Sequence, residues 1–437
     1  MKTRLNQKRD VQGSVMLATM GITLVLGLGL ASYLTLTRWQ HTSVIRSQAW
    51  NTAMALAEAG VDEALAQLNP GALLFETNIN RGANGWTLLS DGMYHAPRRT
   101  LPDGDYDVAI TADTYPLIYA TGYVTIPTLS ATISRAVRVT TAQAGLFRAG
   151  LAARVDVDLK GNKIWTDSFD SMDPLHSTNG LYYGPWRKAN GDVASQEGLV
   201  NVQNGDIRGT LWTGPTGNYD IGAQGSVGDL SWPLGGGLQD GHYKNDLNMD
   251  FPDVLPPYET GLPPVGKNVG GTNFTWYLGN NNYMCPDSKA GVTLQNGDKV
   301  LVVGRAVVYV TGDFIMQGGA SITIAPGASL HLYVAGKNTD ITTVNNGGNC
   351  AAFSIYGLPG NTSINLSGND TLLGTIYAPN AALVLSGSGD PKIPIDFQGA
   401  CAVNTIKLNG HFNFHYDENL KRGGPIRGYQ LTSWTEI

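Results

Sequence analysis

The order of apolar and polar positions predicts a long helix near the start of the chain. Residues 11–37 form an uncharged, strongly apolar stretch. Because a helix rises about 1.5 Å per residue and a bilayer core needs roughly 20 apolar residues, this stretch is long enough to span a membrane. Beyond Arg38, apolar residues recur every three or four positions as far as Leu68, which predicts an amphipathic continuation over residues 38–69. Asn69-Pro70 ends the pattern, because proline disfavours helix in the residue before it.

Period-two alternation predicts three strands in the next segment, residues 71–145. Apolar and polar residues alternate over 106–110, 117–126 and 133–139, and short turns separate these runs. Such runs are typical of an antiparallel meander with one buried face. The residues before them, 71–100, are punctuated by glycine and proline and are predicted to be irregular.

The remaining sequence predicts many short strands without helices between them. From Phe147 to about residue 420, pieces such as Ser329-Leu-His-Leu-Tyr-Val and Ser363-Ile-Asn-Leu-Ser-Gly recur between Gly-Asn and Gly-Gly turns. Repeated short strands favour a β-solenoid (a right-handed β-helix), in which successive coils stack. A β-sandwich is the alternative, since short strands with turns also build one. Residues 235–299 contain a cluster of prolines and are predicted to be an insertion on the flank, while residues 421–437 form a C-terminal tail.

Basic residues before the apolar stretch predict its orientation. Lys2, Arg4, Lys8 and Arg9 lie in a leader over residues 1–10. By the positive-inside rule the N-terminus stays in the cytoplasm and the bulk of the chain lies outside it. A cleaved secretory signal would have a shorter apolar core of about 7–15 residues and would not continue as a helix. A plain signal anchor with a stalk is the rival interpretation.

Composition supports an all-β extracytoplasmic protein and argues against nucleic-acid binding. Charged residues make up only 15% of the chain, and there are 55 glycines. The net charge of −6 provides no basic surface for a nucleic acid. The apolar stretch over residues 11–37 indicates membrane lipid as a partner. In an oxidising compartment, two of the three cysteines, Cys285, Cys350 and Cys401, could pair. Cys350 and Cys401 are the candidate disulfide, although the sequence leaves the choice of pair open.

Two polar patterns suggest metal sites, and each has a simpler explanation. On a strand, His411, Asn413 and His415 share one face, and adjacent histidines could bind a metal. Alternatively, the histidines face solvent or a covering loop while the aromatic residues between them fill the core. Asp103-Gly-Asp105-Tyr-Asp107 resembles half of a calcium loop but lacks its glycine and glutamate, so a turn leading into a strand explains it.

An enzyme of the polysaccharide-active β-helix class needs paired carboxylates on an exposed face. Asp167, Asp170 and Asp173, near Trp165 and Phe169, are the best candidates, although turn formation explains them too. Nucleophile elbows and phosphate-binding loops are absent from the sequence. We therefore expect no catalytic residues, no cofactor and no metal, and we expect the protein not to be an enzyme.

The first 70 residues resemble a known family. Gly13-Ser-Val-Met-Leu-Ala18 opens the apolar helix, and Ala57-Glu-Ala-Gly-Val-Asp-Glu-Ala-Leu65 ends it. Both segments are similar to the N-terminal region of PilX-type type IV pilus assembly proteins, which are minor pilin-like proteins. Major pilins carry a glutamate five residues after the cleavage glycine, and Ala18 stands there in this chain. Cleavage between Gly13 and Ser14 is therefore open.

The C-terminal part resembles the β-helical domain that is often appended to PilX-type proteins. Leu373-Gly-Thr-Ile-Tyr-Ala-Pro-Asn380 and Phe414-His-Tyr-Asp-Glu418 carry this second resemblance, which covers roughly residues 150–420. The function of that domain is poorly characterised, and the resemblance supplies no catalytic residues. It implies the β-helical fold and an association with pili.

Together the two resemblances imply a non-enzymatic cell-envelope protein, a minor pilin-like component or assembly factor of a type IV pilus or a related system. Its partners would be membrane lipid and other pilin-like subunits, and surface glycans are a further candidate that belongs to the adhesin alternative. It would be a single-pass inner-membrane protein with a periplasmic bulk, or part of a surface pilus after processing. A membrane-anchored adhesin is the alternative. The residues expected to pack the helix are Leu17, Leu24, Leu28, Leu56, Gly60, Val61 and Leu65.

Overall fold

A computed structural model describes residues 12–69, 81–161, 164–285, 291–367, 371–386, 395–410, 412–423 and 426–437. The chain divides into two compact units. The first, here called the helical unit, comprises Met1–Leu68, Asn80–Ala142 and Gln430–Ile437. The second, here called the β unit, comprises Asn69–Ile79 and Gln143–Tyr429.

One continuous helix, α1, forms the start of the helical unit and runs from Gln12 to Leu68. It ends at the residue before Asn69-Pro70, where the sequence predicts the end. The strands that follow it are β1 (Thr87–Leu88), β2 (Met93–His95), β3 (Arg99–Leu101), β4 (Gly104–Thr111), β5 (Leu117–Ile126) and β6 (Ala131–Gly145). A short 3₁₀ helix over Pro127–Leu129 joins β5 to β6.

The sheet of the helical unit is antiparallel in β1–β2, β2–β4, β3–β4, β4–β5 and β5–β6. Its central register places Ile110 opposite Ile118 and Ile118 opposite Val139. All three side chains are fully buried, so the predicted period-two alternation does produce a sheet with a buried face.

Two segments differ from the prediction. Residues 71–100 were expected to be irregular, but their described part contains β1, β2 and the start of β3. The expected tail, residues 421–437, contains a strand (Ile426–Glu436) that lies beside β6 in the first sheet. Its residues after Tyr429 are exposed and show no apolar alternation, which an edge strand with one pairing partner does not need.

The β unit consists of short strands. In chain order they are β7 (Leu151–Ala153), β8 (Val157–Asp158), β9 (Trp165–Phe169), β10 (Val193–Ser195), β11 (Leu199–Gln203), β12 (Asp206–Arg208), β13 (Leu211–Thr213), β14 (Asn218–Ile221), β15 (Ser226–Gly228), β16 (Gly237–Leu238), β17 (Tyr243–Lys244), β18 (Lys267–Val269), β19 (Thr272–Phe274), β20 (Trp276–Leu278), β21 (Asn282–Cys285), β22 (Val292–Leu294), β23 (Lys299–Val302), β24 (Arg305–Val310), β25 (Phe314–Met316), β26 (Ser321–Ile324), β27 (Ser329–Val334), β28 (Asn338–Ile341), β29 (Thr343–Asn346), β30 (Phe353–Gly357), β31 (Ser363–Ser367), β32 (Leu372–Ser386), β33 (Ile395–Asn409) and β34 (Phe412–Asp417). The final elements of the chain are α2 (Leu420–Gly423) and β35 (Ile426–Glu436). Two 3₁₀ helices cover Gly184–Trp186 and Cys350–Ala352.

Ladders between the described strands of this unit are parallel, apart from the hairpin β18–β19. One row of register partners crosses ten strands and shows how the strands stack. In spatial order it contains Tyr283, Val308, Leu332, Ile355, Ile376, Cys401, Leu151, Val193, Leu211 and Tyr243. Nine of these side chains are buried, and Tyr243 is partly buried, so the row forms a continuous apolar core along the stack.

The spatial order of this row is not the order of the chain. The chain enters in the middle of the stack at Leu151 and advances to Tyr243 at one end. It then resumes at Tyr283 at the opposite end and returns to Cys401, which pairs with Leu151. The last strands on this path, β33 and β34, therefore lie beside the first ones, β7, β8 and β9, and we call this contact the seam.

The proline-rich segment connects the two ends of the stack. Hydrogen bonds attach this segment to one strand region of the stack after another. In chain order of the segment they are Leu247 N to Thr213 O, Arg154 Nη2 to Phe251 O, Tyr377 Oη to Pro252 O, Tyr258 Oη to Val307 O and Met284 N to Leu262 O. Proline suits this path because it has no N–H group to leave unsatisfied. The end of the segment predicted as an insertion, 235–299, is regular: β20, β21 and β22 belong to the stacked sheets.

The chain is therefore mainly β with an apolar N-terminal helix, as the sequence predicts at that level.

Candidate functional site

The first half of α1 exposes a long apolar surface. Leu17, Leu24 and Leu28 are 74%, 65% and 62% exposed. In the described part of the chain, α1 is the one helix long and apolar enough to cross a membrane, and its most apolar window has no buried residue. Among the residues described, nothing packs against these side chains, so this surface is suited to lipid or to other helices.

Threonine hydroxyls in this half of the helix are satisfied by the helix itself. Thr19 donates to Met16 O at 3.0 Å, Thr35 to Ala31 O at 2.7 Å and Thr37 to Tyr33 O at 2.9 Å, and Thr23 bonds to Thr19 O. A hydroxyl bonded to a carbonyl three or four residues earlier needs no water. These polar residues are therefore compatible with a hydrocarbon environment.

The second half of α1 packs on the antiparallel sheet. Leu56 and Val61 are 5% and 1% exposed, Gly60 is buried and Leu65 is half-buried. The residues predicted to pack the helix therefore form two groups. Leu17, Leu24 and Leu28 are exposed. Leu56, Gly60, Val61 and Leu65 lie in the half of α1 that packs on β4 and β5.

Small residues set the distance between helix and sheet. A Cβ atom on Gly60 would lie 3.1 Å from both Ala120 Cβ and Tyr106 Cδ2. A Cβ atom on Gly122 would lie 2.1 Å from Ala53 O, closer than any real contact. The helix backbone therefore rests directly on β5, and glycine is required at Gly122 by this close approach.

A charged contact completes the helix–sheet interface. Arg99 Nε donates to Glu63 Oε1 at 3.0 Å, and Tyr106 Oη donates to Glu63 Oε2 at 2.8 Å. Partial burial acts to raise the pKa of Glu63, but the hydrogen bonds from Arg99 and Tyr106 outweigh it and the pKa is lowered. Burial, with the Glu63 carboxylate, raises the pKa of Tyr106 to about 12. Helical periodicity identifies Glu63 only as a polar position, because its partners lie in strands and not on its own helix.

The candidate processing site lies at the start of α1. The helix begins at Gln12, so Gly13 and Ser14 are in its first turn.

The seam of the β unit joins two of the polar patterns that the sequence singled out separately. Asp167 on β9 and His415 on β34 are register partners, and His415 Nδ1 lies 2.5 Å from Asp167 Oδ1. Trp165 Nε1 and Tyr182 Oη donate to Asp167 Oδ2 at 2.9 Å and 2.8 Å. Both members of the pair are buried, at 0% exposure for Asp167 and 3% for His415.

An aromatic lid covers this pair. The Tyr182 ring stacks on the His415 ring with 3.6 Å between centroids and 17° between planes. The sequence suggests that the histidines face solvent or a covering loop. His415 faces the covering loop, which contributes Tyr182. Because the carboxylate already accepts several hydrogen bonds and is enclosed, the pair stabilises the seam and is not placed to meet a polymeric substrate.

Other carboxylates at the seam are also held in hydrogen bonds. Asp417 Oδ1 accepts from Ser171 N at 3.0 Å and from Asn419 N at 3.1 Å, and burial raises the pKa of Asp417. Asp170 pairs with Arg422 Nη2 at 2.5 Å. Asp173 accepts from Leu175 N at 2.9 Å, which is the turn-forming role considered for it.

Neither metal pattern forms a site in the part of the chain that is described. His411 lies outside the described residues. Asp105 and Asp107 lie 3.5 Å and 3.4 Å from the guanidinium of Arg98, so both carboxylates already face a side-chain cation. Among the residues described, no three His, Cys, Asp or Glu side chains are grouped to hold a metal ion.

The three cysteines are free thiols. The candidate disulfide between Cys350 and Cys401 is not formed in the structure. Cys350 is hydrogen-bonded to the Asp417 carboxylate, and burial with that charge raises its pKa. Cys401 is fully buried in the apolar row between Ile376 and Leu151, where burial raises its pKa as well. Both thiols are therefore inert.

Comparisons with known proteins add limited information. A family model described as "Domain of unknown function (DUF7305)" matches residues 290–423. The search of curated proteins found no match. Among solved structures, the competence-associated pilin ComZ from Thermus thermophilus is similar at 10% sequence identity, covering 89% of this chain and 98% of its own, with a TM-score of 0.27. A TM-score this low does not establish a shared fold.

Proposed function

We propose that this chain is a non-enzymatic, pilin-like subunit or assembly factor of a type IV pilus or a related envelope system. The observation that carries the proposal is α1: one helix whose first half is apolar and exposed, and whose second half rests on an antiparallel sheet through Gly60 and Gly122. Such a helix can move from lipid into a bundle of similar helices while its second half stays packed on the sheet. The resemblance to PilX-type proteins over residues 10–70 points the same way.

In this proposal the N-terminus, residues 1–10, is cytoplasmic, residues 11–37 span the inner membrane and the bulk of the chain lies in the periplasm or on a fibre. Processing between Gly13 and Ser14 would release the helix into a fibre, and its absence would leave a permanent membrane anchor. Residues 147–420 form the domain that is presented.

We further propose that this domain is a β-solenoid. Parallel ladders between strands about 20 to 25 residues apart support it, as does the in-register apolar row through ten strands. A sandwich built from hairpins would instead pair neighbouring strands antiparallel. The large size of residues 147–420 suits a minor subunit, because a fibre built from many copies would be crowded by such a domain.

Cross-linking from the exposed half of α1 tests the proposal. A photoreactive amino acid is placed at Leu24 in a host that produces type IV pili, and adducts are identified by mass spectrometry. We expect adducts with the helices of other pilin-like subunits. Leu234, which is 68% exposed in the β unit, is the matched control and should give no such adduct.

The same sample identifies the mature N-terminus. Ser14 as the first residue, together with recovery of the chain in sheared fibres, supports a fibre component. An unprocessed N-terminus with the same adducts supports a membrane-resident assembly factor. If Leu24 gives only lipid adducts and the chain is absent from fibres, the protein is an anchored adhesin unrelated to pili and the proposal is wrong.

A further inference from the structure

The β unit contains an open groove beside the loop that covers the seam's buried pair. Its volume is about 750 Å³, which is in the range of ligand-binding clefts. Strands β26 and β29 form one side, and residues near Leu373 and Gln398, on β32 and β33, form another. Leu181, from the loop between β9 and β10, completes the lining.

The chemistry of this groove is uncharged and rich in hydrogen-bonding side chains. Among the described residues that line it, none is ionisable. Its polar members are amides and hydroxyls: Thr323, Asn345, Asn346, Thr371 and Gln398. Amides and hydroxyls both donate and accept hydrogen bonds, so they match a ligand whose polar groups do the same.

The strands fix these side chains in a row. Thr323 on β26 and Asn345 on β29 are register partners, and their neighbours Ile322 and Val344 are buried. Because side chains alternate along a strand, Thr323 and Asn345 point outward, about 4.8 Å apart along the stack. That spacing is comparable to the length of one sugar ring in a polysaccharide.

Asn346 and Gln398 brace the walls. Asn346 Nδ2 donates to Leu373 O at 3.0 Å, and Gln398 Oε1 accepts from Tyr182 N at 3.1 Å. These bonds tie the sheet edge to β32, and β33 to the loop, so the groove is built before any ligand arrives.

The loop that supplies Leu181 also carries exposed aromatic residues. Tyr183 and Trp186 are 45% and 42% exposed. Their rings lie edge to face with 5.0 Å between the ring centroids. The neighbouring Tyr182 is held by Asp167 and by its stack on His415. The loop that lines the groove through Leu181 therefore also carries exposed aromatic faces, which suit the apolar faces of sugars, while the amides of the groove suit their hydroxyl edges.

We propose that this groove binds a neutral polysaccharide, lying across the coils along the row of Thr323 and Asn345. Among the residues described, the lining offers no positive charge to an anionic polymer or a nucleic acid. An extended peptide is the competing occupant, but the row consists of side chains and not of unpaired strand N–H and C=O groups. The inference extends the proposed function by naming the ligand of the presented domain.

Calorimetry on the full-length chain tests this proposal. The protein is embedded in lipid nanodiscs, so that no sugar detergent competes, and is titrated with neutral hexasaccharides of glucose, xylose, mannose and N-acetylglucosamine. Hexagalacturonate serves as the anionic comparison and a proline-rich decapeptide as the peptide comparison. We expect at least one neutral hexasaccharide to bind and both comparison ligands to fail.

Asn345→Ala should weaken this binding about fivefold, the effect of one lost neutral hydrogen bond. Asn282→Ala, at an exposed asparagine of β21 outside the groove, should leave it unchanged. If circular dichroism shows that Asn345→Ala is misfolded, Thr371→Val replaces it with the same expectation. The proposal is overturned if no neutral hexasaccharide binds, if hexagalacturonate or the peptide binds as well, or if the groove variants bind as the control does. None of these results changes the adducts expected from Leu24, so failure here is distinct from failure of the proposed function.

Discussion

At the scale of single residues, one carboxylate forms a charged contact between α1 and the sheet of the helical unit. Glu63 is the carboxylate that α1 turns toward the sheet, where it meets Arg99 and Tyr106. A helical position can be read from the sequence as polar, but the partner of a carboxylate 36 residues away cannot. The contact limits which strands can lie under the helix.

The lowered pKa of Glu63 predicts a pH dependence. A carboxyl group with a lowered pKa in the folded chain contributes stability above its unfolded pKa of about 4.3, and loses it as the pH falls through the folded value. Glu63→Gln should therefore lower the free energy of unfolding by about 1 kcal/mol at pH 7, since Arg99 is 40% exposed and solvent screens the pair. The difference from the native chain should shrink toward pH 3 in denaturant titrations.

Glu58→Gln is the control, because Glu58 is an exposed residue of the same helix. Equal losses for both variants at every pH would show that the Arg99 contact contributes nothing.

The buried pair of Asp167 and His415 is a second contact between single residues that are distant in the sequence. Sequence reasoning selected both, one as an acidic cluster member and the other as a metal ligand, but 248 residues separate them. Their shared role at the seam follows from strand register, which no local spacing contains.

At the scale of elements, the packing of α1 on β5 depends on the absence of side chains. Gly122 has the backbone of Ala53 directly over it, and Gly60 faces Ala120. This interface resembles helix contacts that rely on small residues, because close backbone approach replaces the interdigitation of large side chains.

Gly122→Ala should separate the helix from the sheet. The added methyl would lie 2.1 Å from Ala53 O, so we expect a loss of about 2–3 kcal/mol in the stability of the helical unit. Hydrogen exchange of the β5 amides, followed by mass spectrometry, should become faster. Gly318→Ala is the control, since a Cβ there meets nothing within 4 Å. Unchanged exchange in β5 would mean that the helix is not seated on Gly122.

At the scale of the whole molecule, the β unit is notable because its strands do not stack in chain order. Its chain begins in the middle of the stack, and the proline-rich segment carries it from one end to the other. The seam therefore joins residues that are far apart in sequence.

An engineered disulfide tests this order. Asp158 on β8 and Lys407 on β33 are register partners, and adjacent strands lie about 4.8 Å apart, within the range that a disulfide spans. Asp158→Cys combined with Lys407→Cys should form a disulfide under mild oxidation, detected by peptide mass mapping. Asp220→Cys with Lys407→Cys is the control and should stay reduced, because two further strands separate β14 from β33. A disulfide in the control, or none in the test pair, would contradict the seam.

Local structure can be predicted from the sequence alone: the long helix and its end before Pro70, the three strands of the meander and most short strands of the β unit. These follow from periodicity, from turn residues and from proline, all of which act over a few positions. Three features appear only in the folded chain: the supposed tail is a strand, β33 and β34 lie beside β7, β8 and β9, and Asp167 faces His415. Each of these depends on hydrogen-bonded register between distant segments. Register is set by the sum of packing along the whole stack, and no short stretch of sequence records it.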